Sequence, residues 1–475
     1  MSVRVGKAAG APAFPSAARK LVQNSQLRQN LRRATDTIRG KRNKVVQEMP
    51  DWQELRDAAH AIKEHTVRHL DFYLERFEAN CARAGGHVHW ARDADEANAI
   101  IVGIFKDHGY SEVIKVKTMT SDETQLNAAL LAAGIRPHET DLAEVIVQLG
   151  DDEPSHVVCP SLHRNRSEVR QIFLEKMNLS ELSEAPEDLA AASRSYLREK
   201  FLRIGAGFSG ANFAIADTGS VCVVESEGNG RMCLTLPNLL VTMLGVEKLI
   251  PSFDDLEVFL QLLPRSATGE RMNPYNSIWT GVAPGDGPQE FHVVLLDNNR
   301  TGVMADAEAR QTLDCIRCGA CLNSCPVFRQ TGGHAYGSSY SGPIGAILTP
   351  QLQSLEHSRS LPYASSLCGA CYEVCPVKIN IPEILIHLRA KLVEDGYPPL
   401  AERAGMKAAA VAFADGERLA AAHKLARLCQ WPFEHDGQLE NLPGMLGGWT
   451  AFRDLPALPR QSFREWWAER QGGRA

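Results

Sequence analysis

The chain has 475 residues, 44% hydrophobic and 23% charged, the balance of a soluble globular protein too long for one ordinary core. A formal charge of −6 and a pI near 6.2 give the whole chain no general affinity for nucleic acid. With no secretory h-region and no apolar run long enough to cross a bilayer, a cytoplasmic protein without a transmembrane segment is expected.

Residues 1–85 read as a basic N-terminal helical arm. The first fifty carry eleven Lys/Arg, including Arg4, Lys7, Arg28 and Arg42, against only Asp36 and Glu48. This stretch reads as an organellar transit peptide, or as an arm lying on an acidic partner or on the protein's own surface. The lack of a clear processing site favours the arm. An arm of that kind would dock a partner, and cluster content would not depend on residues 1–45. Further on, Leu55, Ala59, Ile62, Val67, Leu70, Tyr73 and Leu74 recur at helical spacing, and Gly85 and Gly86 stop the helix.

Residues 86–300 alternate between β-branched runs and helical stretches, which predicts a layered α/β domain on a largely parallel sheet. Strands are expected at 87–91, 112–119, 144–149, 155–160, 213–219, 220–226 and 290–297. The apolar segment Leu234–Val246, broken by Pro237 and Asn238, reads as a buried core element. GAGFSG at 205–210 satisfies G-x-G-x-x-G. It follows a charged helical stretch instead of a strand, however, which argues against a dinucleotide site.

Polar groups in this domain form a candidate anion site. Strand alternation would place Lys115 and Lys117 on one face, with Asn212, Asp217, Thr218, Glu225, Asn229 and Arg231 at strand ends and turns. The alternative is a solvated edge and a simple hairpin. His156 and His163 read as core or turn residues, because zinc would need more ligands nearby.

Residues 301–400 are dense in cysteine and punctuated by Gly and Pro, and 401–475 form a helical C-terminal tail ending in a Pro- and Trp-containing coil. Cys81, Cys159, Cys222, Cys233 and Cys429 stand singly, as buried structural thiols do. The other seven fall into two tight groups. CIRCGACLNSCP places Cys315, Cys318, Cys321 and Cys325 in the spacing C-x-x-C-x-x-C-x-x-x-C-P, whose fourth cysteine serves the other cluster in two-cluster ferredoxins. Zinc sites instead use pairs of C-x-x-C. CGACYEVCP supplies Cys368, Cys371 and Cys375, with Ser365 at the template's first position.

Exchange of the fourth cysteines assigns cluster one to Cys315, Cys318, Cys321 and Cys375. Cluster two takes Cys325, Cys368 and Cys371. Two [4Fe-4S] clusters are expected, the second being [3Fe-4S] or completed by a non-cysteine ligand such as Ser365. After Pro376, Pro382 opens a helix with Leu385, Leu388 and Leu392 on one face, closed by Gly396.

The long helical insert between the motifs resembles the α-helical ferredoxin domain of the iron–sulfur subunits of succinate dehydrogenase and glycolate oxidase. KVKTMTSDETQLNAAL, ETDLAEVIVQL, PSHVVCPSLHRNR and SGANFAIADTGSVCVVESEGNGR resemble the lactate-utilisation domain family, whose fold is similar to ribose-5-phosphate isomerase and CoA transferases. Ala143 departs from that pattern, where glycine is expected. From about residue 15 to beyond 400, the chain resembles the iron–sulfur subunits of three-component L-lactate utilisation systems. The resemblance implies an electron-transfer subunit in oxidation of L-lactate to pyruvate, beside a cysteine-rich subunit and a small α/β subunit. The alternative is a catalytic subunit binding a small carboxylate at the α/β pocket or at the open corner of cluster two.

Overall fold

A computed structural model of the chain describes residues 12–451 and 453–472; Arg4 and Lys7 of the basic stretch lie outside them. Backbone contacts divide the chain into two compact units, the first ending at Lys391 and the second beginning at Leu392.

The first unit is built on a six-stranded, wholly parallel sheet. Its strands are β1 (Gly86–Ala91), β2 (Glu112–Lys115), β3 (Arg136–Glu139), β4 (Ala206–Ser209), β7 (Leu239–Gly245) and β10 (Glu290–Leu296), in the order β1-β10-β7-β4-β2-β3. Strand alternation sends Leu240, Leu244, Phe291 and Val293 into the core on one face, and Val241, Met243, Val294 and Leu296 into the core on the other. Burial on both faces is why β7 reads as a continuous apolar run. A second, mixed sheet orders β8 (Leu249–Ile250), β5 (Phe213–Ile215), β6 (Ser220–Glu225) and β9 (Tyr275–Trp279).

Three sequence expectations change. Residues 144–149 are helical, within Leu142–Leu149, because Asp141 caps that helix by accepting from the N–H groups of Ala143 (3.0 Å) and Glu144 (3.2 Å). Residues 155–160 are irregular turns, held by the His156 ring accepting from the N–H groups of Val158 and Cys159, each at 3.0 Å. The strand expected at 112–119 ends at Lys115, and Thr118 caps a short helix. The glycines of GAGFSG serve packing: a Cβ on Gly207 would lie 2.6 Å from the Cys233 carbonyl, and one on Gly210 2.2 Å from Thr118 Oγ1.

The N-terminal segment forms α1 (Phe14–Leu21), α2 (Ser25–Gln47), α3 (Trp52–Arg68) and α4 (Leu70–Arg83). Leu27, Leu31 and Trp52 enter one core with Phe213 and Phe259 of the α/β part and Leu322, Phe328 and Ile384 of the cysteine-rich part. Of the two placements expected for the arm, residues 12–45 take the one on the protein itself. Arg42 Nη2 donates to the Val374 carbonyl (3.0 Å), and from α3 Arg56 Nε donates to the Cys375 carbonyl (2.8 Å).

The second unit contains helices Leu400–Phe413 and Gly416–Cys429, a small antiparallel sheet (Glu434–His435, Gln438–Leu439, Leu455–Pro456) and helix Phe463–Gly472. Two-residue strands carry no alternation to read, so the sequence shows them as coil. No helix among the described residues is long and apolar enough to cross a membrane.

Candidate metal centre and adjoining pocket

The two cysteine motifs repeat one backbone design. Arg317 (φ 60°) and Gly319 (φ 72°) frame Cys318, and Leu367 (φ 53°) and Gly369 (φ 81°) frame Cys368. Gly319 leads into helix Ala320–Ser324 and Gly369 into helix Ala370–Glu373. In the first motif the Arg317 N–H donates to Cys315 Sγ (3.4 Å); in the second the Leu367 N–H donates to Ser365 Oγ (3.1 Å). The serine hydroxyl thus holds the place in its loop that the thiol holds in the other.

Folding regroups the seven cysteines across the motifs. Cys315, Cys318, Cys321 and Cys375 line one buried cavity, walled by Ile316, Ile344, Val377 and Ile379. Cys325 instead neighbours Cys368 and Cys371. Burial, then the proximity of Cys375 and Cys315, pushes the Cys318 thiol far up. Free thiolates in such a cavity would be strongly disfavoured, whereas a coordinating thiol is deprotonated outright. Backbone N–H groups also reach the sulfurs, Ile379 to Cys375 (3.4 Å) and Phe328 to Cys325 (3.5 Å), as donors that tune cluster thiolates do. The donor set fits iron–sulfur clusters. Cys368 is exposed while Cys318, Cys321 and Cys375 are buried, so the two sites differ in access to solvent.

A buried charge network unforeseen in the sequence anchors the first cysteine loop. Arg300 donates to both carboxylate oxygens of Glu123, at 2.9 Å each, and to Glu247. Tyr340 OH donates to Glu123 Oε2 (2.5 Å), and Arg317 Nη2 to Glu247 Oε1 (3.0 Å). The left-handed backbone at Arg317 is thus matched by a side chain tied to the α/β part.

The LUD domain family matches residues 74–296, a 4Fe-4S dicluster domain matches 311–379, and "Lactate utilisation protein B, C-terminal" matches 389–472. Lactate utilization protein B of Bacillus licheniformis is 42% identical over 455 residues, covering 95% of each chain. That of Bacillus subtilis is 41% identical, covering 97% of each. The chain belongs to the lactate utilisation protein B family. This member pairs an α/β LUD domain with an iron–sulfur dicluster region.

The candidate anion residues separate in this family member. Lys117, Asn212, Glu225 and Asn229 line a cavity of about 220 Å³. Lys115 and Arg231 do not. Lys115 is 1% exposed and paired with Glu139 Oε1 at 2.7 Å, because β2 ends there as an interior strand. Arg231 is exposed, and its backbone N–H donates to Glu225 Oε1 (3.2 Å). Asp217 is spent on Arg76 (2.8 Å). Two further cavity residues, Lys248 and Arg317, were invisible in the sequence. Burial lowers the Lys248 ammonium to about 7, and burial with Asp141 nearby raises the Glu227 carboxyl to about 7.

The histidines of 156–163 are anchors. His163 has Asp152 and His334 within metal-ligand reach, but Asp152 Oδ2 is already bound by Arg164 at 2.5 and 2.9 Å, and His334 Nε2 meets the Glu153 carbonyl at 3.0 Å. His156 meets Asn323 Oδ1 through Nε2 (3.2 Å), and burial lowers its pKa from 6.5 to about 3. Between those values the unfolded chain binds the extra proton. The stabilisation is complete above about pH 6.5 and is lost as pH falls toward 3. His156→Asn is expected to flatten this part of the acid-unfolding curve followed by near-ultraviolet circular dichroism.

Proposed function

We propose that this chain is an electron-transfer component of L-lactate oxidation to pyruvate. Cys315, Cys318, Cys321 and Cys375 hold one [4Fe-4S] cluster, and Cys325, Cys368 and Cys371 hold the second. The observation that carries the reading is the regrouping across motifs, four cysteines around one buried cavity and three at a second position. Lactate oxidation releases two electrons and two protons, whereas each cluster, when bound, accepts one electron at a time. Two neighbouring clusters therefore suit a relay between a substrate-oxidising partner and a downstream acceptor. A cysteine-rich subunit and a small α/β subunit are the partners this reading requires.

The chain's own residues set the environment of the relay. Arg42 and Arg56 are held beside Cys318 and Cys375, and their charge stabilises added electrons on cluster one. Cys368 at the surface makes cluster two the entry or exit point. Ser365, in the loop position equivalent to Cys315, is its proposed fourth ligand.

Iron and sulfide analysis of anaerobically purified protein tests the assignment. About eight irons correspond to two cubanes and about seven to one cubane with a three-iron cluster. Ser365→Ala is expected to change the electron paramagnetic resonance spectrum of cluster two alone, while Ser365→Cys produces two similar thiolate-ligated signals. An unchanged Ser365→Ala spectrum would remove Ser365 as ligand.

A further inference from the structure

The cavity in the α/β part lies against the first cysteine loop, since Arg317 and Val157 line both it and the cluster-one cavity. Its volume of about 220 Å³ falls below the roughly 300–1,000 Å³ of sites for drug-sized ligands, and suits a small organic acid.

The polar groups around it are unequally engaged. Asp141 is committed to the N–H groups of Ala143 and Glu144. Glu225 Oε2 accepts from the N–H groups of Glu227 (2.9 Å) and Gly228 (2.6 Å), and Glu227 accepts from the Leu142 N–H (3.0 Å). Lys117 Nζ donates to the carbonyls of Val157 (2.6 Å) and Val158 (3.0 Å), leaving one of its three protons for the cavity. Asn212 accepts from the Val224 N–H (2.9 Å), and its amide N–H₂ has no acceptor among the described residues. Lys248 stands apart. It is 8% exposed, lines the cavity, and its ammonium has neither a hydrogen bond nor an ion pair among the described residues.

A buried ammonium without a hydrogen-bonded acceptor is costly; the nearby Glu247 and Cys315 offset part of that cost, burial eases loss of its proton, and an anion in the cavity would offset the rest. The donors that line it are the Lys248 ammonium, the remaining Lys117 proton and the Asn212 amide, a set that suits a carboxylate. Asp141, Glu225 and Glu227 line the same cavity, which disfavours a multiply charged phosphate and offers acceptors for a hydroxyl. We infer that this cavity binds a small hydroxy- or oxo-carboxylate, anchored by Lys248, beside cluster one. Lys248 follows Glu247, which holds Arg317, and the Arg317 N–H meets Cys315 Sγ. Binding an anion at Lys248 therefore changes the field at the first cysteine of cluster one.

The site stands on this geometry; only the probes, L-lactate and pyruvate, rest on the proposed function. Iron content and electron uptake from the partners report on that function separately. The full-length, cluster-loaded protein is titrated calorimetrically with each probe, with inorganic phosphate as the control. Cluster-one resonance spectra are recorded with and without ligand. At least one probe is expected to bind and perturb that spectrum, and Lys248→Met to weaken binding tenfold or more at unchanged iron content. Removing an unpaired buried charge should also raise the melting temperature, so a more stable variant that binds worse identifies a ligand site. Asn212→Ala, which leaves the ammonium in place, is expected to weaken binding less. Absence of binding by either probe, or Lys248→Met and Asn212→Ala both binding as wild type does, would overturn the inference.

Discussion

Cys375→Ala is expected to abolish the cluster assigned to the first motif, although Cys375 lies four residues from Cys371 and fifty from Cys325 in the chain. It lines the cavity with Cys315, Cys318 and Cys321, so its loss removes one of four thiolates from that site. About four of about eight irons should be lost, with the cluster-two signal retained. Cys325→Ala should do the reverse. If each substitution instead removes the cluster nearer to it in sequence, the ligand exchange is wrong. Iron analysis combined with resonance spectroscopy decides between the two patterns.

The second large effect is on stability. Arg300→Met leaves Glu123 and Glu247 facing each other's surroundings without the guanidinium that joins them. Breaking a buried pair in this way costs roughly 3–5 kcal/mol, because a charge is stranded out of water. Chemical denaturation should show a loss of that order. Converting Glu123 to leucine in the same chain should recover part of it, since the stranded charge is then removed as well. A loss below about 1 kcal/mol in the single variant would mean that solvent reaches the network.

The legible features were the local ones. The cysteines of CIRCGACLNSCP and CGACYEVCP follow a spacing that suits one cluster, so the candidate ligands could be read directly. The α/β class was readable from the alternation of strand-like and helical stretches. Val145, Ile146 and Val147 suggested a strand because β-branched residues favour one, while the deciding signal was the cap at Asp141. β3 was missed because Arg136, Pro137, His138 and Glu139 carry no apolar alternation. Lys115 and Lys117 looked equivalent until the end of β2 separated them. The Arg300–Glu123 pair joins residues 177 positions apart, and no local pattern encodes such a contact. Lys248 was hidden for the same reason: its meaning lies in what does not reach it.

The exposure of Cys368 has a practical corollary. If Cys368 serves a cluster as proposed, oxygen and peroxide would attack that accessible thiolate first, and a site with three cysteines would have the least to lose before its metal departed. Preparations handled in air should shed iron in two stages, fast from the surface position and slowly from the cavity lined by Ile316, Ile344, Val377 and Ile379. A sample with about four irons would then be an aged form of the protein, and its colour alone would not show what had gone.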